Sequence, residues 1–210
     1  MIENLHPVKS NNSKSNKTYH LEMDIRMKGK STNGEENFEK IKVLSNSRLR
    51  IYESSKFSTY SDLSQVYFVD HMSKSIFISK SNSNLKNFDQ SEMIQSIQDS
   101  LVKYSDVSQC SKYKVQNKVI QYIKLQPNPT YAQAKHIESV EYFWNTSEKK
   151  LDRINMNYQI GHDIEYMYTN YLVVDFFSDI KLKNKASDYV FSGKGKVLPA
   201  FANYEIEYTE

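Results

Sequence analysis

The sequence predicts a mainly β (α+β) fold: a large, curved antiparallel sheet forming an open half-barrel, covered by one or a few helices. Three observations carry this reading. Tyr19, Leu21, Met23, Ile25 and Met27 alternate without a break against His20, Glu22, Asp24, Arg26 and Lys28. That is the period-two signature of a strand with one apolar and one solvated face. Short alternating runs then recur along the chain, separated by turns rich in Asn, Asp and Ser. Once only the spacing becomes helical, where Ile94, Ile97, Leu101 and Tyr104 recur at i, i+3, i+7 and i+10. So many strands curl or close under their own twist. One covering helix suits a half-barrel whose apolar concave face it caps.

Taken in order, residues 1–17 read as a flexible leader with nothing to bury. The first strand runs to about Lys28 and ends in a turn carrying Gly29 and the pair Asn33-Gly34. Phe38, Ile41 and Val43 mark a second strand, and Asn46 and Ser47 turn the chain into RLRIYES, where Leu49 and Ile51 share a face. QVYFVD (65–70) and SIFISK (75–80) complete a meander of about five antiparallel strands. The helix is assigned to residues 90–104. Asp89 can cap it, Glu92 stands three residues on as in a capping box, and Phe88 and Met93 hold the staple positions.

Strands resume with SKYKVQNKVIQYIKLQPN, which stops at Pro127 and Pro129. Short helical pieces are allowed at 129–136 and 176–186. HIESVEYFWN and LDRINMNYQ flank the turn NTSEKK as a hairpin in which Ile154, Met156 and Tyr158 alternate. In DIEYMYTNYLVVDF, Ile164, Tyr166, Tyr168, Leu172, Val174 and Phe176 occupy even positions and read as one apolar face. Tyr189 and Phe191 lead through Gly193 and Gly195 to a last alternating run, Tyr204, Ile206 and Tyr208. The total is about ten to twelve strands in a single half-barrel domain, 18–210, with no interior linker.

Composition narrows the function classes. The chain has 210 residues, 16 Tyr and 10 Phe, enough to build a substantial core. Its 28 basic and 25 acidic residues are well mixed, and no basic stripe argues for nucleic acid. Cys110 is the only cysteine, which excludes a disulfide framework; it reads as a small buried hydrophobe. No apolar run approaches the ~18 residues of a membrane span, and no apolar signal-peptide region is present. A cytoplasmic protein and a mature secreted one both fit that. No phosphate loop, dinucleotide fingerprint or G-x-S-x-G elbow occurs. Asp70-His71 and His162-Asp163 are adjacent pairs, and adjacent strand residues face apart. His136 and Glu138, at i and i+2 of a strand, could share a face toward a metal, but no third ligand is evident. Neither a cofactor nor a catalytic residue is expected. Tyr142, Phe143 and Trp144, just before Lys149, Lys150 and Arg153, form an aromatic and basic cluster of the kind found at membrane headgroups, or half core and half solvated turn.

The long first strand YHLEMDIRMKG, the meander ending in VYFVDHMSKSIFIS, the helix SEMIQSIQDSLVKY and the hairpin VEYFWNTSEKKLDRINMNY occur in an order that resembles the LolA/LolB-like lipoprotein carriers of bacterial envelopes. The resemblance spans most of residues 18–176 and rests on order and pattern. No motif carries a functional arginine over to Arg26, Arg48 or Arg50, and the tail VFSGKGKVLPAFANYEIEYTE reads as an accessory ending. The resemblance implies a non-enzymatic carrier, periplasmic or secreted, with its signal peptide removed. Its partners would be lipid or an acylated lipoprotein, with transient contact to a membrane or membrane protein. An acyl chain needs a deformable apolar trough, for which methionines are suited. Leu21, Met23, Ile25 and Met27 on the sheet and Ile94, Ile97 and Leu101 on the helix are the expected lining. The competing expectation is a protein-interaction or scaffold module whose trough is filled by these same side chains.

Overall fold

In the computed structural model, residues 17–30, 34–81 and 100–209 are described. They form strands β1 (Thr18–Gly29), β2 (Glu36–Ser45), β3 (Leu49–Glu53), β4 (Phe57–Asp62), β5 (Gln65–Asp70), β6 (Ser75–Lys80), β7 (Ser105–Val115) and β8 (Lys118–Pro127). Helix α1 (Pro129–Lys135) follows, then β9 (Ile137–Asn145), β10 (Lys150–Tyr158), β11 (Ile164–Ser178) and β12 (Glu205–Tyr208). Short 3-10 turns occupy Ala186–Tyr189 and Pro199–Phe201. The strands make one 12-stranded sheet in the order β12-β6-β5-β4-β3-β2-β1-β11-β10-β9-β8-β7. It is mostly antiparallel, β12 running parallel to β6, and it is open, with β12 and β7 as its two ends. The fold is mainly β, as the alternation predicts. Of the expected helix 90–104, the described part is helical over residues 100–103.

Asx turns stand in for the scarce glycine and proline. Oδ1 of Asn46 accepts from the amides of Arg48 and Leu49, both at 2.9 Å. Oδ1 of Asp62 accepts from Ser64 (2.8 Å) and Gln65 (3.0 Å), and that of Asp70 from Met72 (2.8 Å) and Ser73 (3.1 Å). Oδ1 of Asn145 accepts from Ser147 and Glu148, both at 3.1 Å. Each side chain mimics a backbone turn and satisfies two amides that would otherwise face water.

The chain divides into two compact units. Of the described residues, 23–30, 34–39 and 100–172 belong to the first and 17–22, 40–81 and 173–209 to the second. In the second unit the core is built on Leu49, Ile51, Tyr60, Tyr67, Val69 and Ile76, joined by Ala186, Val190 and Phe201. The C-terminal segment is therefore core rather than the accessory ending its composition suggests. An amide hydrogen bond from Ala186 to Asp62 Oδ2 (3.0 Å) anchors it. In the first unit, Leu125, Val140, Tyr142, Trp144 and Leu151 form a separate core with Leu101.

Three local expectations are corrected. FSTYSD is a strand, β4, giving six strands before residue 82 instead of five. The first unit places the odd residues of β11 against its apolar cluster: Met167 pairs with Met156 and Thr169 with Ile154, while Leu172 is 51% exposed. The even-numbered tyrosines face the other way. Cys110 is exposed, because β7 is an edge strand whose residues are mostly solvated.

Gly29 ends β1 where the chain crosses the backbone just before β11. A Cβ there would lie 2.1 Å from the carbonyl oxygen of Asp163 and 2.7 Å from Cα of Ile164, and the Lys30 amide donates to that same carbonyl at 2.8 Å. Gly29→Ala should lower stability by about 1–3 kcal/mol, since backbone must move to admit the methyl. Chemical denaturation of the two proteins side by side measures it, and an unchanged midpoint would show the approach to be looser than drawn.

Candidate ligand-binding faces of the first unit

Register divides the first unit's sheet into two chemically distinct faces. On one, β8 contributes Ile123 and Leu125, which pair with Tyr142 and Val140 of β9. Tyr142 and Val140 pair in turn with Ile154 and Met156 of β10, and those with Thr169 and Met167 of β11. Leu101, Val102 and Tyr131 of α1 pack on this surface. Around β1, Glu36 accepts from the Tyr166 hydroxyl at 2.8 Å and pairs with Arg26 at 3.9 Å, and Lys28 pairs with Glu165 at 3.2 Å. Tyr166 is opposite Asn157, one residue from Met156. By alternation Met23, Ile25 and Met27 share one face of β1, and Met156 and Met167 share the apolar face of β10 and β11. These four methionines are half-buried.

Of the expected lining residues, Leu101 is 2% exposed within the apolar cluster, and Met23, Ile25 and Met27 are half-buried on one face of β1. Leu21 is 3% exposed and belongs to the second unit. Ile94 and Ile97 lie outside the described residues. Met156, Met167 and Tyr142 are the residues sequence reasoning passed over for this face. The alternation of Ile154, Met156 and Tyr158 is a usable signal for the first; Met167 is hidden because the even tyrosines around it look more apolar. The Tyr142 hydroxyl is buried with no hydrogen-bond partner among the described residues. Burial, with a smaller contribution from Tyr131, pushes its pKa up to about 12.

The other face is polar yet partly buried. Glu141 accepts from Asn155 Nδ2 (2.9 Å) and the Tyr122 hydroxyl (3.2 Å), with Lys124 Nζ at 3.9 Å. Asn157 Nδ2 donates to Ser139 Oγ at 3.2 Å. The Arg153 guanidinium stands 3.9 Å above the Phe143 ring. Beyond Arg153 opens a groove of about 460 Å³ lined by Ile120, Phe143 and Leu172 and by Lys118, Lys150 and Asp152. Lys118 is 3.6 Å from both Glu148 and Asp152, and Lys150 is 2.7 Å from Glu148. The hydrogen bond from Lys150 holds the Glu148 carboxyl below its ordinary pKa. The aromatic triplet is thus split: Tyr142 and Trp144 join the apolar core while Phe143 joins the basic groove.

The histidines go to other tasks. His71 links Ser58 Oγ (2.8 Å) to the Tyr204 hydroxyl (3.1 Å) in the second unit. His136 does not share a strand face with Glu138: it is the left-handed C-cap of α1 (φ 56°), and β9 begins after it. Its ring stacks 5.3 Å from that of His162, whose Nδ1 accepts from the Ile164 amide at 3.1 Å. Among the described residues no group of three or more His, Cys, Asp or Glu could hold a metal.

No protein-family model and no curated protein matches the chain. Solved structures similar to it include an uncharacterized conserved protein of Thermus thermophilus, at 10% identity and TM-score 0.44, covering 99% of this chain and 98% of that one. A LolA superfamily protein of Nitrosomonas europaea aligns at 10% identity and TM-score 0.33, covering 85% and 91%. A putative outer membrane lipoprotein-sorting protein domain of Vibrio parahaemolyticus aligns at 7% identity and TM-score 0.32, covering 84% and 92%.

Tyr142 gives this unit a testable alkaline limit. A phenol titrating near 12 when folded and near 10 when unfolded keeps its proton longer in the folded state. Its contribution is therefore complete below pH 10 and declines as pH rises toward 12, by about 1.4 kcal/mol per pH unit. Tyr142→Phe should remove that decline and, by deleting an unpartnered polar atom, raise stability at pH 7 by about 1 kcal/mol. Urea midpoints of both proteins at pH 7, 10 and 11 test it; parallel curves would show the hydroxyl is solvated.

Proposed function

We propose that the protein is a non-enzymatic carrier or binding protein that holds lipid or lipoprotein acyl chains on the apolar face of the first unit. The observation that carries this reading is the pair of half-buried, facing Met156 and Met167 beside Ile154 on the apolar sheet face, to which the reading adds Met23, Ile25 and Met27 of β1. Unbranched thioether side chains rearrange at little cost, so they can follow the irregular contour of a flexible chain. Each methylene they cover contributes about 0.8 kcal/mol before ordering costs. The Tyr142 hydroxyl supplies a single donor for an ester or amide carbonyl at the head of that chain. The sequence resemblance to lipoprotein carriers supports the same cargo and a periplasmic or secreted setting. No helix of the described residues is long and apolar enough to cross a membrane.

A second reading, a scaffold that accepts a partner strand, draws on β7, an 11-residue edge strand exposed along most of its length. Against it stand the bulge between Val107 and Gln109 and the exposed Lys112 and Lys114, devices that discourage edge pairing.

Titration of the delipidated protein with a fluorescent acyl probe, followed by displacement with a synthetic acylated lipopeptide, should show one saturable site per chain. Met23→Glu and Met156→Glu should each weaken it by at least roughly tenfold, because a charge would have to be desolvated beside the chain, with the circular dichroism spectrum unchanged. Tyr142→Phe should weaken the lipopeptide more than a plain hydrocarbon probe. Full affinity in both glutamate variants would move the trough elsewhere.

A further inference from the structure

The groove on the opposite face carries chemistry that the acyl-chain reading leaves unused. Three of its lining side chains, Lys118, Lys150 and Arg153, are cations and one, Asp152, is an acid. Lys118 and Lys150 already have carboxylate partners in Glu148 and Asp152. Arg153 has no ion pair among the described residues; it is held flat by the Phe143 ring at 3.9 Å, and its buried Nε–H lacks an acceptor. A guanidinium fixed in this way presents a pre-oriented fork to an oxyanion, whereas a lysine would offer only a mobile point charge.

A second orphan donor lies beside it. Asn145 is fully buried, and its Oδ1 is engaged by the turn amides while its Nδ2 has no partner among the described residues. It pairs in register with Ile120 and Lys150, both of which line the groove. A fixed guanidinium without an ion-pair partner, beside a cationic rim, asks for oxygen and negative charge. The rest of the lining is largely apolar, with aliphatic Val115, Ile120 and Leu172 and aromatic Tyr113, Phe143 and Tyr171, and a free phosphate gains nothing from it.

We propose that this groove binds the headgroup of an anionic lipid, its phosphate or carboxylate held by Arg153 with Lys118 and Lys150 at the rim, and the first carbons of its apolar part against Phe143, Ile120 and Leu172. The site is separate from the methionine face, since β9 and β10 turn alternate residues to each. It assigns the protein a charge selectivity that an apolar trough alone does not have.

The test is calorimetric titration of the full chain with dihexanoyl phosphatidylglycerol, dihexanoyl phosphatidylcholine and inorganic phosphate, each lipid below its micelle concentration. The anionic lipid should bind at least roughly tenfold more tightly than the zwitterionic one, and inorganic phosphate weaker still. Arg153→Gln should abolish the preference. Leu172→Glu, at a position already half-exposed, should do the same without touching the core. Both variants should keep the affinity of the neutral acyl probe, which separates failure of this site from failure of the methionine face. Equal binding of the two lipids, or a preference that survives Arg153→Gln, overturns the proposal. Phosphate binding as tight as the lipid overturns it as well, leaving an inorganic anion site.

Discussion

The register of β10 between β9 and β11 is the constraint on which both faces of the first unit depend. Side-chain direction has period two, so a slip of one residue would move Met156 and Ile154 to the polar side and Asn155 and Arg153 into the apolar core. Burying Arg153 against Val140 and Tyr142 would cost several kcal/mol, comparable to the whole stability of a domain this size. The hydrogen-bonded pairs Asn155–Glu141 and Asn157–Ser139 reinforce the choice from the other side, because each would lose its partner in a slipped register. Apolar burial and polar pairing select the same alignment.

The bulges in this pairing are consistent with that division of labour. One lies between Leu151 and Arg153. Leu151 pairs with Trp144 in the apolar core and Arg153 with Phe143 on the polar face, which leaves Asp152 as the extra residue. Without the bulge, alternation would place Leu151 and Arg153 on the same side. With it, the chain delivers an aliphatic residue to the core, a cation to the groove, and an acid within 3.6 Å of Lys118. Bulges re-aim side chains in this manner where a strand ends near a site.

Much of the fold could be read from the chain because its strands are amphipathic and its turns carry Asn and Asp. β5 and β6 were legible to the residue, since QVYFVD and SIFISK are bounded by Asp62 and Asp70 turns. β4 was not, because FSTYSD buries a serine and a tyrosine where the pattern calls for aliphatics: Ser58 is 3% exposed, its hydroxyl held by His71. In β11 the pattern misled in a different way. Tyrosine is apolar in body and polar at its tip, so Tyr166 and Tyr168 scored as core while their rings stack on each other on the solvated side and Tyr166 donates to Glu36. Of the candidate site, the shared strand face of Met23, Ile25 and Met27 was legible from β1 alone. Of the groove, the grouping of Phe143, Lys150 and Arg153 was legible, but Lys118 was not, because it starts a different strand, β8, and only pairing brings it to Asp152.

Asn145 shows what turn chemistry demands of a buried residue. The two half-exposed Asx turns that end β4 and β5 use Asp62 and Asp70, where a carboxylate keeps contact with solvent. The turn after β9 needs the same two-amide acceptor but sits fully buried, where a carboxylate would carry an uncompensated charge out of water. The amide oxygen does the acceptor's work without that charge. Its consequence is an NH₂ group that must also be buried, and an unpartnered buried donor costs about 1–3 kcal/mol. The hairpin turn that fixes the β9–β10 register therefore carries a buried donor without a partner among the described residues.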